Sequence, residues 1–173
     1  ESDIEDFKKF ETNIDDQLKV YDITFFNITY DVFLKRIEEA KIMYKEALAE
    51  PFDYTKDESF NTDYDKVNYV KNKREMKELW RKEMKFSTLS NYDDLYTEEK
   101  NAKEKDPEYI MKTEQEIEKE AREATLKYMD IYFNDVIDDL KREDWFEVYV
   151  NTIVGEFDPH TYYLAPKSKE DFD

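Results

Sequence analysis

The chain has 173 residues and a net charge of −18, with one glycine, four prolines and no cysteine. The negative charge would repel phosphate backbones and anionic lipid surfaces, which argues against nucleic-acid binding and membrane association. No apolar stretch approaches the roughly 18 residues that a membrane span needs, and the absence of cysteine excludes disulfides and thiolate zinc ligands. Because strand-rich folds need turn residues every ~8–12 positions, the scarcity of glycine and proline predicts an all-helical fold. The opening residues lack a signal-peptide pattern, so we expect a cytosolic chain or a mature product.

The first fifty residues carry apolar side chains at three- and four-residue spacings, which predict helices. One helix is predicted from Asp3 to about Tyr21, and a longer helix from about Thr24 to Glu50, ended by Pro51. We expect the stripe of the longer helix to be the spine of the fold, with Phe33 and Ile37 buried. Its members are Phe26, Tyr30, Phe33, Ile37, Ala40, Tyr44 and Ala47.

Residues 51–71 have no helical period and predict a long irregular connection that is rich in aromatic side chains. Such a loop is unusual in a compact domain, so it either packs its own aromatics onto the helices or has a function. We favour the first reading for its aromatics, Phe52, Tyr54, Phe60, Tyr64 and Tyr69. Four aspartates also invite a calcium reading, but the loop lacks the glycine and terminal glutamate of the calcium-binding helix–loop–helix pattern. We therefore predict a solvated acidic loop at Asp53, Asp57, Asp63 and Asp65.

Two further helices are predicted after this loop. Asn72 and Glu75 form a capping box before one of them, whose apolar stripe is Met76, Leu79, Trp80 and Met84. The charged, weakly patterned residues from Thr97 to Pro107 are predicted to be a mobile surface connection. A second long helix follows, with a stripe of Ile117, Ala121, Ala124, Tyr128, Ile131, Phe133 or Asp135, Val136 and Leu140.

The last predicted helix is short. Asp144 and Glu147 form its capping box, and Gly155 is expected to end it in a left-handed conformation. Pro159 prevents the helix from resuming and restricts Asp158 to an extended conformation. We expect a turn at Asp158 and Pro159, and an extended run beyond it, with Phe157 packed against helix side chains.

No catalytic constellation is visible in the sequence. None of the serines lies in a glycine-bearing elbow, and the one histidine, His160, cannot be assumed to reach any of them. His160 is expected to hydrogen-bond to backbone or to a carboxylate, and a zinc site built on it and on carboxylates alone is not expected. We predict no catalytic residue, no cofactor and no metal site.

The segment "FDPHTYYLAP" resembles the junction of periplasmic carboxy-terminal processing proteases, also called tail-specific proteases. In that family a D-P-H-T-x-Y-L-x-P segment leaves an N-terminal helical domain and leads towards a PDZ domain. The matching residues here are Asp158, Pro159, His160, Thr161, Tyr163, Leu164 and Pro166. Other stretches are similar in the same order, including "FFNITYDVFLKRIEEAKIMYKEAL", "FDYTKDESFNTDYDK" and "KNKREMKELWRKEMKFSTLS".

This resemblance implies a periplasmic serine endopeptidase with a Ser–Lys dyad that acts on proteins from their C-termini. The chain is then its non-catalytic N-terminal helical domain over residues 1–156, followed by a junction over 157–173 that leads towards a missing PDZ domain. The implied partners are the PDZ and protease domains of the same chain, protein substrates and, as in some members of the family, a lipoprotein adaptor. The alternative is an independent helical protein–protein interaction module. Residues 167–173 are expected to be mobile, because their neighbour is missing, and Ser168 with Asp171 to begin another cap.

Overall fold

The computed structural model describes residues 2–166 and 169, and within them the secondary structure is helical with no β-strand. The all-helical class predicted from the sequence is thereby confirmed. The helices are α1 (Ser2–Lys8), α2 (Ile14–Lys19), α3 (Thr24–Leu48), α4 (Lys73–Lys105), α5 (Glu114–Ile131) and α6 (Arg142–Gly155). A short 3-10 turn at Tyr64–Lys66 and a π-helical segment at Tyr132–Ile137 complete the elements. No helix of the described part is both long and apolar enough to cross a membrane.

The chain divides into two compact units. One comprises Ile37–Phe133, and the other comprises Ser2–Arg36 together with the residues from Asn134 onward. The first contains α4, α5 and the end of α3, and the second contains α1, α2, the start of α3, and α6. The predicted boundary between residues 156 and 157 stays a prediction.

The apolar stripe of α3 supplies core residues to each unit. Phe26 is buried in the second unit, where its ring lies 5.1 Å from that of Phe146. In the first unit, Ile37 and Tyr44 are buried, as is Ala40. The prediction of a central stripe is confirmed for these positions. The expectation that Phe33 is buried is wrong, because its side chain is only half-buried, with its ring 4.3 Å from that of Trp145.

Helices α4 and α5 pack against each other in the first unit. Met84 of α4 and Ile117 of α5 are each 1% exposed, so this interface excludes water. Two threonines lie in it: the Thr125 hydroxyl donates to the carbonyl of Ala121 at 3.0 Å and accepts from Thr88 at 3.2 Å. Their polar atoms are therefore satisfied within the apolar contact.

The predicted mobile connection at Thr97–Pro107 is wrong, because α4 continues without interruption to Lys105. Lysine, glutamate and alanine favour helix wherever nothing opposes it, even without an apolar stripe. A tertiary contact adds to this preference. The buried Glu99 carboxylate accepts from the Tyr109 hydroxyl and from the Lys112 backbone N–H, each at 3.0 Å.

The stripe predicted for this second long helix is right at Ile117, Ala121 and Phe133, which are buried, and wrong at the exposed residues Ala124, Tyr128, Ile131, Val136 and Leu140. The buried side chains follow four-residue steps instead, at Ile117, Ala121, Thr125, Met129 and Phe133. Tyr128 is 66% exposed and Val136 is 50% exposed. The sequence prediction chose the more apolar side chains and so passed over Thr125, which is buried because its hydroxyl is fully hydrogen-bonded.

The single helix predicted from Asp3 to Tyr21 is interrupted. α1 and α2 are separated by turns over residues 9–13, and neither helix has a fully buried residue. After α2, Tyr21 adopts a left-handed conformation with φ 58, and the N–H of Asp22 donates to the backbone oxygen of Gln17 at 2.8 Å. The apolar spacing correctly identified helical turns, but too little burial is available to favour one continuous helix over two.

The ends of α4 and α6 differ in part from their predicted caps. Asn72 caps α4 as expected, but Glu75 returns its bond to the N–H of Lys71 rather than to that of Asn72. α6 begins three residues early, with Asp144 accepting from the Lys141 N–H at 2.7 Å. It ends at Gly155, as predicted, but Gly155 is not left-handed. Glu156 continues in the right-handed region, so the exit needs no left-handed residue.

Candidate functional site

Each unit has one surface feature that is built from specific polar contacts. In the first unit, the loop of residues 51–71 lies on α4, and Glu58 is its centre. In the second, the segment after α6 folds back on that helix. The two features are described separately.

Glu58 connects the loop to α4 through charged hydrogen bonds. Its carboxylate accepts from Lys85 Nζ at 2.6 Å and from both terminal nitrogens of Arg81, one of them at 3.1 Å. These hydrogen bonds from Arg81 and Lys85 lower the pKa of Glu58 from 4.5 to about 2. Lys85 also donates to the backbone oxygen of Asp53 at 2.6 Å, so α4 contacts the loop at two points.

Beside Glu58 the loop and α4 enclose a groove with a volume of about 280 Å³. We call it the Lys82 groove. Its apolar wall includes Phe60 and Phe86, whose ring centroids are 5.8 Å apart. Lys82 lies at its edge and donates to the backbone oxygen of Ser59 at 3.2 Å, not to the serine hydroxyl. The groove is also lined by Tyr54, Lys56, Lys85 and Leu89.

The prediction that the loop aromatics pack onto the helices is right for some and wrong for others. Phe52 and Phe60 are half-buried. Burial, followed by the charge of Glu118, raises the pKa of Tyr54 to about 12. Tyr64 is 61% exposed and Tyr69 is 85% exposed.

The acidic residues of the loop make local contacts. Asp53 accepts from both the N–H and the hydroxyl of Thr55, and Asp63 forms an ion pair with Lys66. In the described part of the chain, no group of three or more acidic or histidine side chains is arranged to hold a metal ion.

The segment after α6 begins with the predicted turn. The Thr161 N–H donates to the Asp158 backbone oxygen at 3.0 Å, which closes a four-residue turn around Pro159 and His160. The Asp158 carboxylate accepts from the His160 N–H at 2.9 Å and from the Thr161 hydroxyl at 2.8 Å. These hydrogen bonds lower the pKa of Asp158. The turn thus explains an aspartate, a proline and a threonine at these positions.

After the turn, the segment binds along α6. The Asn151 side chain accepts from the Tyr163 N–H at 2.6 Å and donates to the Tyr163 carbonyl at 2.9 Å. Two residues on, the Ala165 N–H donates to the Glu147 carboxylate at 3.0 Å. Tyr163 also places its ring 6.1 Å from that of Phe146, and Ala165 is buried. Leu164 is half-buried and Pro166 is exposed.

One expectation about this segment is wrong: Phe157 is 84% exposed and does not pack against helix side chains. His160 has a carboxylate partner, as one form of the prediction allowed, because its backbone N–H donates to Asp158, while its imidazole is exposed. The expectations for residues 167–173, including the Ser168 and Asp171 cap, fall almost entirely outside the described residues.

Sequence reasoning missed the residues that hold both features in place. Arg81 and Lys85 are four residues apart, so they share one face of α4, and this spacing could have indicated a common acidic partner. Glu58 could not have been chosen among the many acids, because the loop has no period that orients it. Asn151 likewise has no signal in the sequence.

These features define a class of protein, namely an all-helical domain whose last helix holds the backbone of the segment that follows it. The model of the family described as "Tail specific protease N-terminal domain" matches residues 1–167. The chain therefore belongs to the family of tail-specific protease N-terminal domains, as the resemblance indicated.

Proposed function

We propose that this domain is a non-catalytic scaffold and docking domain of a serine endopeptidase that processes or degrades proteins from their C-termini. The family match over residues 1–167 carries the proposal. We place the protease in the periplasm, as the resemblance implies. The serine and lysine of its dyad then belong to other domains of the same polypeptide.

The surroundings of the serines support a non-catalytic role. In the described part of the chain, no serine hydroxyl is hydrogen-bonded to a lysine or histidine side chain. Ser59 is the serine that a lysine contacts, and Lys82 binds its backbone oxygen. A serine nucleophile needs a base within hydrogen-bond reach of its hydroxyl.

The segment from Asp158 to Pro166 supports a scaffold role. Its backbone is bound by the side chains of Asn151 and Glu147, so its direction as it leaves α6 is determined by the helix. A PDZ domain attached beyond this segment would begin from a defined position. The docking partners we propose are the PDZ and protease domains, protein substrates and a lipoprotein adaptor.

Incubation of the isolated chain with a reduced, unfolded protein tests the non-catalytic role. The substrate should remain intact, as followed by gel electrophoresis, because the proposal assigns the catalytic serine and lysine to other domains. Cleavage that survives repurification and elutes together with the chain would contradict the proposal. For the scaffold role, Asn151→Ala in the full-length protease should lower proteolysis while the isolated variant domain keeps its helicity.

A further inference from the structure

We propose that the Lys82 groove binds an acidic segment of a partner protein, with one large apolar side chain in the groove and a flanking carboxylate on Lys82. The proposal deepens the docking role given above and rests on it. It names the chemistry of the partner and the residues that would contact it.

The groove is apolar and open to solvent. Phe86 is 49% exposed and Leu89 is 46% exposed, although both lie on α4 beside half-buried loop residues. The volume of about 280 Å³ suits a single large side chain rather than an extended apolar surface. Exposed apolar side chains that line a concave surface are typical of binding sites.

The charge at the groove is opposite to that of the whole chain. The chain has a net charge of −18, yet Lys56, Lys82 and Lys85 line this groove together with one carboxylate, that of Glu58. Lys85 is neutralised by Glu58, whose other partners are Arg81 and Lys56. Lys82 has no carboxylate within 4.0 Å among the described residues, and its ammonium makes one hydrogen bond, to the Ser59 backbone oxygen. Its remaining donors are available to a partner.

The exposed apolar wall and the Lys82 ammonium, which has no carboxylate partner in the described part of the chain, together indicate which kind of segment the groove would bind. A neutral apolar segment would cover Lys82 without giving it a counter-charge, which costs free energy. A nucleic acid would bring phosphates close to a strongly acidic protein. A segment with a phenylalanine or leucine beside an aspartate or glutamate would cover the apolar wall and give Lys82 a counter-charge. The attraction between its carboxylate and this locally basic site would also fix its orientation.

Binding is tested with a fluorescent peptide that contains one phenylalanine between pairs of aspartates, with both termini blocked. Fluorescence anisotropy should show saturable binding to the chain. The same peptide with asparagine in place of aspartate should bind at least about fivefold more weakly, since it cannot neutralise Lys82. Raising the salt concentration from about 0.05 M to about 0.5 M should also weaken binding of the acidic peptide, because exposed charges are screened.

Two variants and their controls locate the site. Lys82→Glu should weaken binding at least about tenfold, because it converts an attraction into a repulsion. Phe86→Ala should weaken binding at least about fivefold, because it removes part of the apolar wall. Lys127→Glu, an equal charge change on the exposed face of α5, and Tyr128→Ala, at an aromatic that is 66% exposed, should stay within about twofold of the parent. Circular dichroism of each variant verifies that it is folded.

Three results would overturn the proposal. One is the absence of binding at millimolar protein concentration, and another is equal affinity for the acidic and neutral peptides. The third is a Lys82-dependent dimer in light scattering, which would make a second copy the occupant. Any of these leaves the scaffold role intact, since that role is tested separately by Asn151→Ala in the full-length protease.

Discussion

The Tyr44 hydroxyl donates a hydrogen bond of 2.7 Å to the carboxylate of Asp130, and so joins the end of α3 to α5. Tyr44 is fully buried, and its ring is stacked on that of Phe133 at 5.3 Å. Asp130 is bound by Lys45 as well, at 3.2 Å. One buried side chain therefore combines an aromatic contact with a hydrogen bond to a charged group.

Tyr44→Phe should lower the free energy of unfolding by about 1–2 kcal/mol, because it removes this hydrogen bond and keeps the ring. Urea denaturation followed by circular dichroism measures the change. Tyr128→Phe is the control, since Tyr128 is 66% exposed and its hydroxyl has no hydrogen bond within the described residues. Equal stability of Tyr44→Phe and the parent would mean that the contact with Asp130 contributes nothing net.

The low pKa of Glu58 makes its contribution to stability depend on pH. Its pKa is about 2 in the folded chain against an ordinary 4.5, so its contribution is complete above the ordinary value. The contribution is lost as the pH falls towards the folded value, because the unfolded chain then binds the proton first.

Glu58→Gln should therefore melt at a lower temperature than the parent near neutral pH. The difference between the two melting temperatures should shrink below about pH 5 and be lost only below about pH 2. Thermal melts across this range measure it, with Glu98→Gln, an exposed glutamate of α4, as the control. A difference that stays constant down to the lowest pH would show that the charge of Glu58 is not what stabilises the loop.

Tyr21 adopts a backbone conformation that glycine tolerates better. It has φ 58 and is 94% exposed, so a substitution removes strain without removing packing. Tyr21→Gly should raise the free energy of unfolding by about 0.5–1 kcal/mol, the left-handed cost less the extra chain entropy of glycine. Tyr69→Gly, at an exposed tyrosine with negative φ, should give no gain. Stabilisation by both substitutions, or by neither, would contradict this explanation.

Hydrogen exchange distinguishes the residues that build the junction from those that do not. Asp158→Ala should speed exchange at the amide of His160, because that amide donates to the carboxylate. Asn151→Ala should do the same at Tyr163. His160→Ala should leave both amides protected, since its imidazole is exposed. Protection in the parent should extend through about Leu164, and fast exchange from Phe157 onward would mean that the segment is not held by α6.

The sequence predicted those elements whose apolar period coincides with a strong local signal. The stripe from Phe26 to Tyr44 has both a regular spacing and a proline after its end, and α3 was located almost to the residue. Asn72 is predicted correctly as the cap of α4, because the pair of Asn72 and Glu75 is a local signal that precedes an apolar stripe. The capping box of Thr113 and Glu116, which starts α5, is a local signal of the same kind.

The prediction failed where tertiary contacts decided the outcome. Glu99 is buried because Tyr109 and the Lys112 backbone reach it across a turn, and nothing in the local pattern indicates this. Thr125 is buried because its hydroxyl is hydrogen-bonded to Asn91 and Thr88, so its polarity alone wrongly predicts that it is exposed. The aromatic and lysine residues of the Lys82 groove are visible in the sequence, but their proximity is not, because only the fold brings Phe60 beside Phe86.

The contact between Asn151 and Tyr163 has a consequence for how this junction can vary. The Asn151 amide pairs with the backbone N–H and carbonyl of its partner, as a neighbouring β-strand would. These two hydrogen bonds therefore involve only the main chain of residue 163, and any residue except proline can form them there. The requirement for a particular amino acid falls on position 151 instead, since a shorter or apolar side chain there cannot form both bonds. Substitutions at position 163 should accordingly preserve the backbone contact, and lose only the ring contact with Phe146, whereas substitutions at position 151 should lose the backbone contact itself.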